Sequence, residues 1–290
     1  MTSRLTSTRN ERVRATAALA RRRDRHAAGH HLVEGPHAVG HALAAGVITT
    51  VFVATAHGED PHAVLRAHLP GGVATGVEVV AVADHVLAHL ADTRTPQGVV
   101  AVAVDPTVGL DAVPTDGLMV VLDRLADPGN VGGIVRTADA AGVAAVVCLE
   151  GTSDPLGPKA VRAGAGSTYH VPLVVGVGVD ELLDHARATG RRLWGLDGDA
   201  SRSVLDLGLA DHPMGLVLGS EAHGLDAAFA ERLDGRVAVP MVGRAESLNV
   251  AVAAGVAIYA AAVGLAGPTS SAATLQAGGD RMPRTSPADH

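Results

Sequence analysis

The chain has 290 residues, 47% of them hydrophobic, enough to build one large or two medium domains around a full core. Its single cysteine, Cys148, excludes an intrachain disulfide framework, and the polar, Arg-rich start lacks the apolar stretch of a secretory signal, so a cytoplasmic protein is expected. A net charge of −7 excludes a uniformly basic nucleic-acid binder, but the charge is unevenly spread. Residues 1–30 hold eight arginines against Glu11 and Asp24, a net of +6, while the rest holds 15 basic and 28 acidic residues. A basic end on an acidic protein is the pattern of an arm that meets phosphates, with Arg12, Arg14, Arg21, Arg22, Arg23 and Arg25 as its candidate contacts.

In chain order, residues 1–9 read as disordered and 10–28 as helical, with arginines on most faces. Leu32-Val33 runs into Gly35-Pro36 and a helix over 37–45. Strands are predicted over 48–54, 77–82 and 99–104, with helices over 61–69 and 84–90 between them. The last strand is wholly apolar, which predicts burial on both faces. The basic arm (1–30) thus leads into a compact α/β domain (31–105), followed by a Pro/Gly/Asp-rich linker (106–117).

A second α/β unit (118–267) follows, with strands predicted over 118–122, 144–149, 171–175, 191–196, 215–218 and 236–239. Its helices are predicted over 131–141, 158–163, 180–189, 226–233 and 249–266, and the Ser/Thr/Pro/Gly-rich tail (268–290) is predicted to be disordered. Residues 250–267 carry no charge, but Ala and Gly dominate, so a helix buried in protein or at a subunit interface is expected rather than a membrane span. His26/His30, His37/His41 and His85/His89 lie four apart on predicted helices, yet no HExxH or cysteine pair accompanies them, and no metal is expected.

Three loops of the second unit follow strands and are rich in Gly, Asn, Ser or Glu. They are Asp127-Pro128-Gly129-Asn130-Val131-Gly132-Gly133, then Leu218-Gly219-Ser220-Glu221-Ala222-His223-Gly224, then Val239-Pro240-Met241 with Glu246-Ser247-Leu248-Asn249-Val250. Ligands of open α/β sheets bind beyond the carboxyl ends of the strands, so three such loops can converge on one site. The first loop fails the GxGxxG spacing of a dinucleotide fingerprint, and no GK[ST] of a P-loop is present. Asn130, Ser247 and Asn249 sit where N-cap residues belong, with helix-start N–H groups beside them.

Taken in this order, the loops, with Arg136 in the run Asn130-Val131-Gly132-Gly133-Ile134-Val135-Arg136-Thr137-Ala138-Asp139-Ala140, resemble those of the SpoU (TrmH-type) RNA 2′-O-ribose methyltransferases of the SPOUT superfamily. The resemblance extends to Leu32-Val33-Glu34-Gly35-Pro36-His37-Ala38-Val39 and Thr95-Pro96-Gln97-Gly98-Val99, which are similar to the N-terminal domain of two-domain members that act on ribosomal RNA. It implies an α/β protein whose C-terminal domain carries a deep trefoil knot, preceded by a smaller α/β RNA-binding domain similar to a ribosomal protein. It also implies a homodimer with the last helix at its interface, and S-adenosylmethionine as cofactor.

The implied activity is methyl transfer to a ribose 2′-hydroxyl, most simply of 23S ribosomal RNA, in a housekeeping or an antibiotic-resistance role. A transfer-RNA ribose methyltransferase and a non-catalytic RNA-binding dimer are the alternatives. The second of these predicts erosion of Asn130, Arg136, Glu221, Ser247 or Asn249, and all five are present. By resemblance Asn130, Arg136, Ser247 and Asn249 form the catalytic set. Leu218, Gly219, Ser220, Glu221, Gly224, Val239, Met241, Ser247 and Leu248 form the cofactor pocket, and Arg162 is an RNA contact. A guanidinium stays protonated in proteins, which favours Arg136 as a fork for phosphate and developing alkoxide over a general base. Glu221 is expected to order its loop, and the scarcity of aromatics predicts RNA recognition by shape and backbone.

Overall fold

The computed structural model describes residues 4–207 and 213–265, so the predicted tail at 268–290 lies outside the described residues. The basic segment is two short helices, α1 (Glu11–Ala18) and α2 (Arg22–Ala28), broken at Leu19-Ala20-Arg21. Asn10 caps α1 by accepting from the N–H groups of Arg12 and Val13, and Gly29 ends α2 in the left-handed conformation. There follow β1 (His30–Glu34), α3 (Pro36–Ala44), β2 (Ile48–Ala54), α4 (Pro61–His68), β3 (Glu78–Val82), α5 (Asp84–Leu90) and β4 (Val99–Val104). These strands pair in the order β1-β4-β2-β3, with β2 and β3 parallel and the other pairs antiparallel.

Two expectations for this half are corrected. Residues 4–9 are ordered against the sheet: the N–H of Leu5 donates to the Ala81 carbonyl and the N–H of Ala83 donates to the Leu5 carbonyl. The short apolar pair Leu32-Val33 is the middle of a full strand, flanked by histidines that disguise it. Alternate residues of β2 and β4 feed two clusters, Val51, Val53, Val99 and Ala101 on one face and Phe52 and Val100 on the other.

The connecting segment is anchored rather than loose: a 3-10 turn at Leu110–Ala112 buries Leu110 and Val113 in the core of the second half. That half contains β5 (Leu118–Leu122), α6 (Pro128–Ala140), β6 (Ala145–Leu149), α7 (Pro158–Gly164), β7 (Leu173–Val177), α8 (Val179–Thr189), β8 (Arg192–Leu196), β9 (Met214–Leu218), α9 (Ala227–Ala230), β10 (Gly235–Val237) and α10 (Val250–Leu265). Its six strands are all parallel, in the order β10-β8-β9-β5-β6-β7. All residues of β5, β6 and β9 are buried, as runs such as Leu-Met-Val-Val-Leu predict for strands covered on both faces. The α6 and α10 face packs around Val120, Leu122, Ile134 and Ile258, and the α8 face around Met119, Val121 and Leu182. Gly132 makes the α6–α7 contact possible, because a Cβ there would lie 2.1 Å from the Ala160 carbonyl oxygen.

Among the described residues, no helix is long and apolar enough to cross a membrane, and no three His, Cys, Asp or Glu side chains are grouped to hold a metal. The two halves meet along residues 154–170. Arg25 is buried: it bonds Asp154 at 2.5 and 3.0 Å and donates to the carbonyls of Leu19 and Ala20. The assignment of Arg25 to RNA contact is therefore corrected; a guanidinium with this many internal acceptors and little exposure is a clamp between α2 and the second half. Val161 of α7 joins the core of the first half, and buried His31 lies 3.0 Å from the Tyr169 hydroxyl.

Replacing Asp154 by Ala strands the buried guanidinium and should cost about 3–5 kcal/mol in urea unfolding; an unchanged midpoint would mean that Arg25 does not clamp the halves. Burial pushes His31 down to about 4, so the folded state favours the neutral ring. Between pH 6.5 and 4 the unfolded chain binds more protons, so stability falls with falling pH, by on the order of 3 kcal/mol over this window. His31→Gln should flatten that part of the stability–pH curve, and a curve parallel to the wild type would contradict it.

Candidate functional site

A cavity of about 430 Å³ lies beyond the carboxyl ends of β8, β9 and β10. All nine residues assigned to a cofactor line it: Leu218, Gly219, Ser220, Glu221, Gly224, Val239, Met241, Ser247 and Leu248. The sequence reading did not include its third strand end, Leu196, Asp197 and Gly198 after β8, nor Ala253, while Glu246 and Val250 stood in the third motif loop without an assigned role. The signal was an apolar strand running straight into Asp-Gly-Asp, the same strand-to-polar-turn pattern used to find the other loops. Gly219 is required at its turn: a Cβ there would stand 2.3–2.4 Å from backbone atoms of Gly224 and Leu225.

Glu221 ties the cavity to α6. Its carboxylate accepts from the N–H groups of Ala126 (3.1 Å) and Asp127 (3.4 Å) and from Asn130 Nδ2 (3.0 Å). Partial burial alone would raise this carboxyl, but the hydrogen bonds from Asn130 and the backbone outweigh it, and its pKa is lowered. Asn130 Oδ1 in turn accepts from Asn249 Nδ2 at 3.3 Å, so one chain of side chains, Asn249–Asn130–Glu221, joins all three motif loops. The strand order reverses between β5 and β9, and this chain spans the crevice formed there.

The cap assignments sort differently from expectation. Asn249 is an N-cap, accepting from the N–H groups of Ala251 (2.9 Å) and Val252 (3.4 Å). Asn130 is not: α6 starts at Pro128 with Asp127 as its cap, which places Asn130 within the first turn and frees its amide for Glu221 and Asn249. Lys159 lies 2.9 Å from Asp127 and, with the Gly129 N–H, lowers the Asp127 carboxyl. Ser247 is exposed on the cavity wall. Arg136 is exposed on α6, six residues past Asn130 and so roughly 9 Å further along the axis. It does not line the cavity, and no ion pair holds it among the described residues.

The assigned RNA contacts also divide. Arg14, Arg22 and Arg23 are exposed, Arg12 pairs with Glu78 and lies over Phe52, and Arg21 pairs with Asp24, which also lies 3.6 Å from Arg23. Arg162 pairs with Asp92 at 2.8 Å, with Glu34 at 3.9 Å.

Residues 117–259 match the SpoU rRNA Methylase family and residues 10–101 the MRM3-like substrate binding domain. The chain is 32% identical over 254 residues to the 23S rRNA (guanosine(2553)-2′-O)-methyltransferase RlmP of Bacillus subtilis, covering 87% of this chain and 96% of that protein. The chain belongs to the SpoU family. Among solved structures it is similar to the SpoU methyltransferase AviRb from Streptomyces viridochromogenes in complex with AdoMet, with a TM-score of 0.79 and 32% identity over 88% of this chain and 98% of that one. An AdoMet-bound rRNA methyltransferase from Sinorhizobium meliloti is similar with a TM-score of 0.78 and 28% identity, covering 90% of this chain and 97% of that one. The expected family is thus confirmed, and the SpoU match spans all three motif loops and the cavity they form.

In this SpoU protein, Gly219→Ala should overpack the β9 turn and cost about 1–3 kcal/mol, with faster hydrogen exchange over residues 219–224. Unchanged melting and exchange would show that the turn has room the structure denies.

Proposed function

We propose that the protein is an S-adenosylmethionine-dependent ribosomal RNA methyltransferase that modifies a ribose 2′-hydroxyl, most simply in 23S rRNA and in the cytoplasm. The observation that carries this is the Asn249–Asn130–Glu221 chain, which fixes a ligand cavity to the helix that presents Arg136. The cavity fits the cofactor: its volume is in the range of small-molecule sites, and Leu218, Val239, Met241 and Leu248 supply apolar walls. Asp197, Glu221 and Glu246 give it negative charge, which suits a cationic ligand. S-adenosylmethionine supplies a methyl group on a sulfonium, a good leaving group, so the protein's task is alignment and stabilisation of the acceptor oxygen.

Leu218, Gly219, Ser220, Gly224, Ser247 and Leu248 would hold the cofactor by backbone groups and close packing, with Glu221 fixing the loop. Asn130 and Asn249 set the relation between that pocket and α6. Arg136, uncommitted to any internal partner among the described residues, binds the acceptor phosphate and stabilises negative charge as the hydroxyl loses its proton. The exposed Arg14, Arg22 and Arg23 supply phosphate contacts from the first half, with Arg12 and Arg162 able to exchange the exposed carboxylates of Glu78 and Asp92, and Arg21 the half-buried one of Asp24, for phosphate.

The same reading assigns residues 31–105 to RNA binding and 118–267 to a knotted catalytic domain. Supporting the trefoil are the Ser203–Ala238 bridge and the packing of α10 against both α6 and the 3-10 turn Val204–Asp206. Supporting a homodimer is an exposed apolar stripe on α10, Val252, Val256 and Tyr259, at helical spacing on an uncharged helix.

Calorimetry with S-adenosylmethionine and a methyl-transfer assay on ribosomal RNA test this function. Arg136→Ala should leave cofactor affinity nearly intact and lower turnover by about 10²–10³. Loss of cofactor binding instead would overturn its acceptor-side role, and no S-adenosylmethionine binding by the wild type would overturn the function itself.

A further inference from the structure

A chain of titratable side chains crosses between the two halves away from the cavity. His41 on α3 places Nδ1 3.0 Å from Nε2 of His170, which follows the 3-10 turn Ser167–Tyr169. His170 Nδ1 lies 2.9 Å from Oδ2 of Asp139, on α6 and three residues past Arg136. The His41 ring sits directly on Gly166, where φ is +96° and an added Cβ would come within 2.4–2.9 Å of the ring and its Cβ. The contact is therefore a fitted one, in which the second half leaves room for a side chain of the first.

We propose that His41, His170 and Asp139 form a positioning latch that seats the N-terminal half against α6, and that the latch opens when both histidines are protonated. The proposal rests on the methyltransferase reading, in which α6 presents Arg136 to the acceptor RNA.

The hydrogen-bond directions follow from the geometry. The Asp139 carboxylate accepts, so His170 Nδ1 carries a hydrogen and donates to it. With both rings neutral, His170 Nε2 holds a lone pair and accepts from His41 Nδ1–H. A first proton added to the pair is accommodated, because one ring can still donate and the other accept between the same two nitrogens. A second proton puts N–H against N–H between two cations, and the contact is lost.

The charged and titratable groups facing His41 are His37 on its own helix, 4.7 Å away between ring centroids, and His170 and Asp139 across the interface. The cations on α7 are engaged elsewhere, Lys159 by Asp127 and Arg162 by Asp92 and Glu34. Burial, then His170 and His37, lower the His41 ring below its ordinary value, with Asp139 opposing. The closed latch thus binds fewer protons than the open one, and closure weakens as pH falls through and below the ordinary histidine range.

Two measurements on the full chain test this. Nitrogen-15 NMR of the imidazoles should show His41 taking its proton below the ordinary histidine value, whereas titration of His41 at the ordinary value overturns the latch. In methylation assays between pH 7.5 and 5.5, KM for an rRNA fragment should rise about three- to tenfold, with cofactor Kd changing less than twofold. His41→Asn keeps a donor at the Nδ1 position and cannot titrate, so it should hold the pH 7.5 KM throughout. His41→Leu should show the raised KM already at pH 7.5. A His41→Asn profile that follows the wild type overturns the proposal. Absence of methylation at every pH defeats the methyltransferase reading instead, while the ring titrations still decide whether the latch exists.

Discussion

The site depends on one carboxylate. Glu221 sits on the turn after β9 and collects two backbone N–H groups from the loop after β5 and the amide of Asn130. Without it these loops, which leave neighbouring strands at the point where the sheet order reverses, would have no common partner. Partly buried and triply hydrogen-bonded, the carboxylate is held ionised, which suits a fixed acceptor and not a proton carrier. Asn249 extends the link to the start of α10, so the last helix, the cavity wall and α6 are set relative to one another by a single chain of polar contacts.

Close packing transmits that placement. Gly132 lets α7 approach α6 to a distance no side chain would allow, and the far side of α7 carries Val161 into the core of the first half. The segment that includes α7 and runs to His170 also provides the partners of Arg25, His31 and His41. The first half is thus anchored to the element next to α6, and the basic N-terminal helices, through Arg25, belong to that anchor.

Much of this was legible in the sequence, because the strands of the second half are continuous apolar runs and the three loops are marked by Gly, Asn, Ser and Glu after each run. The nine residues assigned by resemblance to a cofactor lie on these loops, and all nine line one cavity. What failed has physical causes. Pro128 at the first helical position moved the start of α6 ahead of Asn130, turning an expected cap into a bridging amide. Arg25 reads like its neighbours because the carboxylate that buries it, Asp154, lies 129 residues away. Leu5 joins the sheet edge through backbone hydrogen bonds and packs a single leucine side chain on the core, too little apolar pattern to mark a strand. Asp197 and Gly198 join the cavity only because β8 lies beside β9, a neighbour relation set by topology.

The central claim is that these residues place a methyl donor beside a ribose hydroxyl of ribosomal RNA. Ribose-methylation sequencing of ribosomal RNA incubated with the purified wild-type protein and S-adenosylmethionine tests it most directly, with Arg136→Ala as the control. The account predicts a new 2′-O-methyl mark at a defined position with the wild type and its near absence with the variant. No new ribose mark, or a mark that persists undiminished in Arg136→Ala, would contradict it.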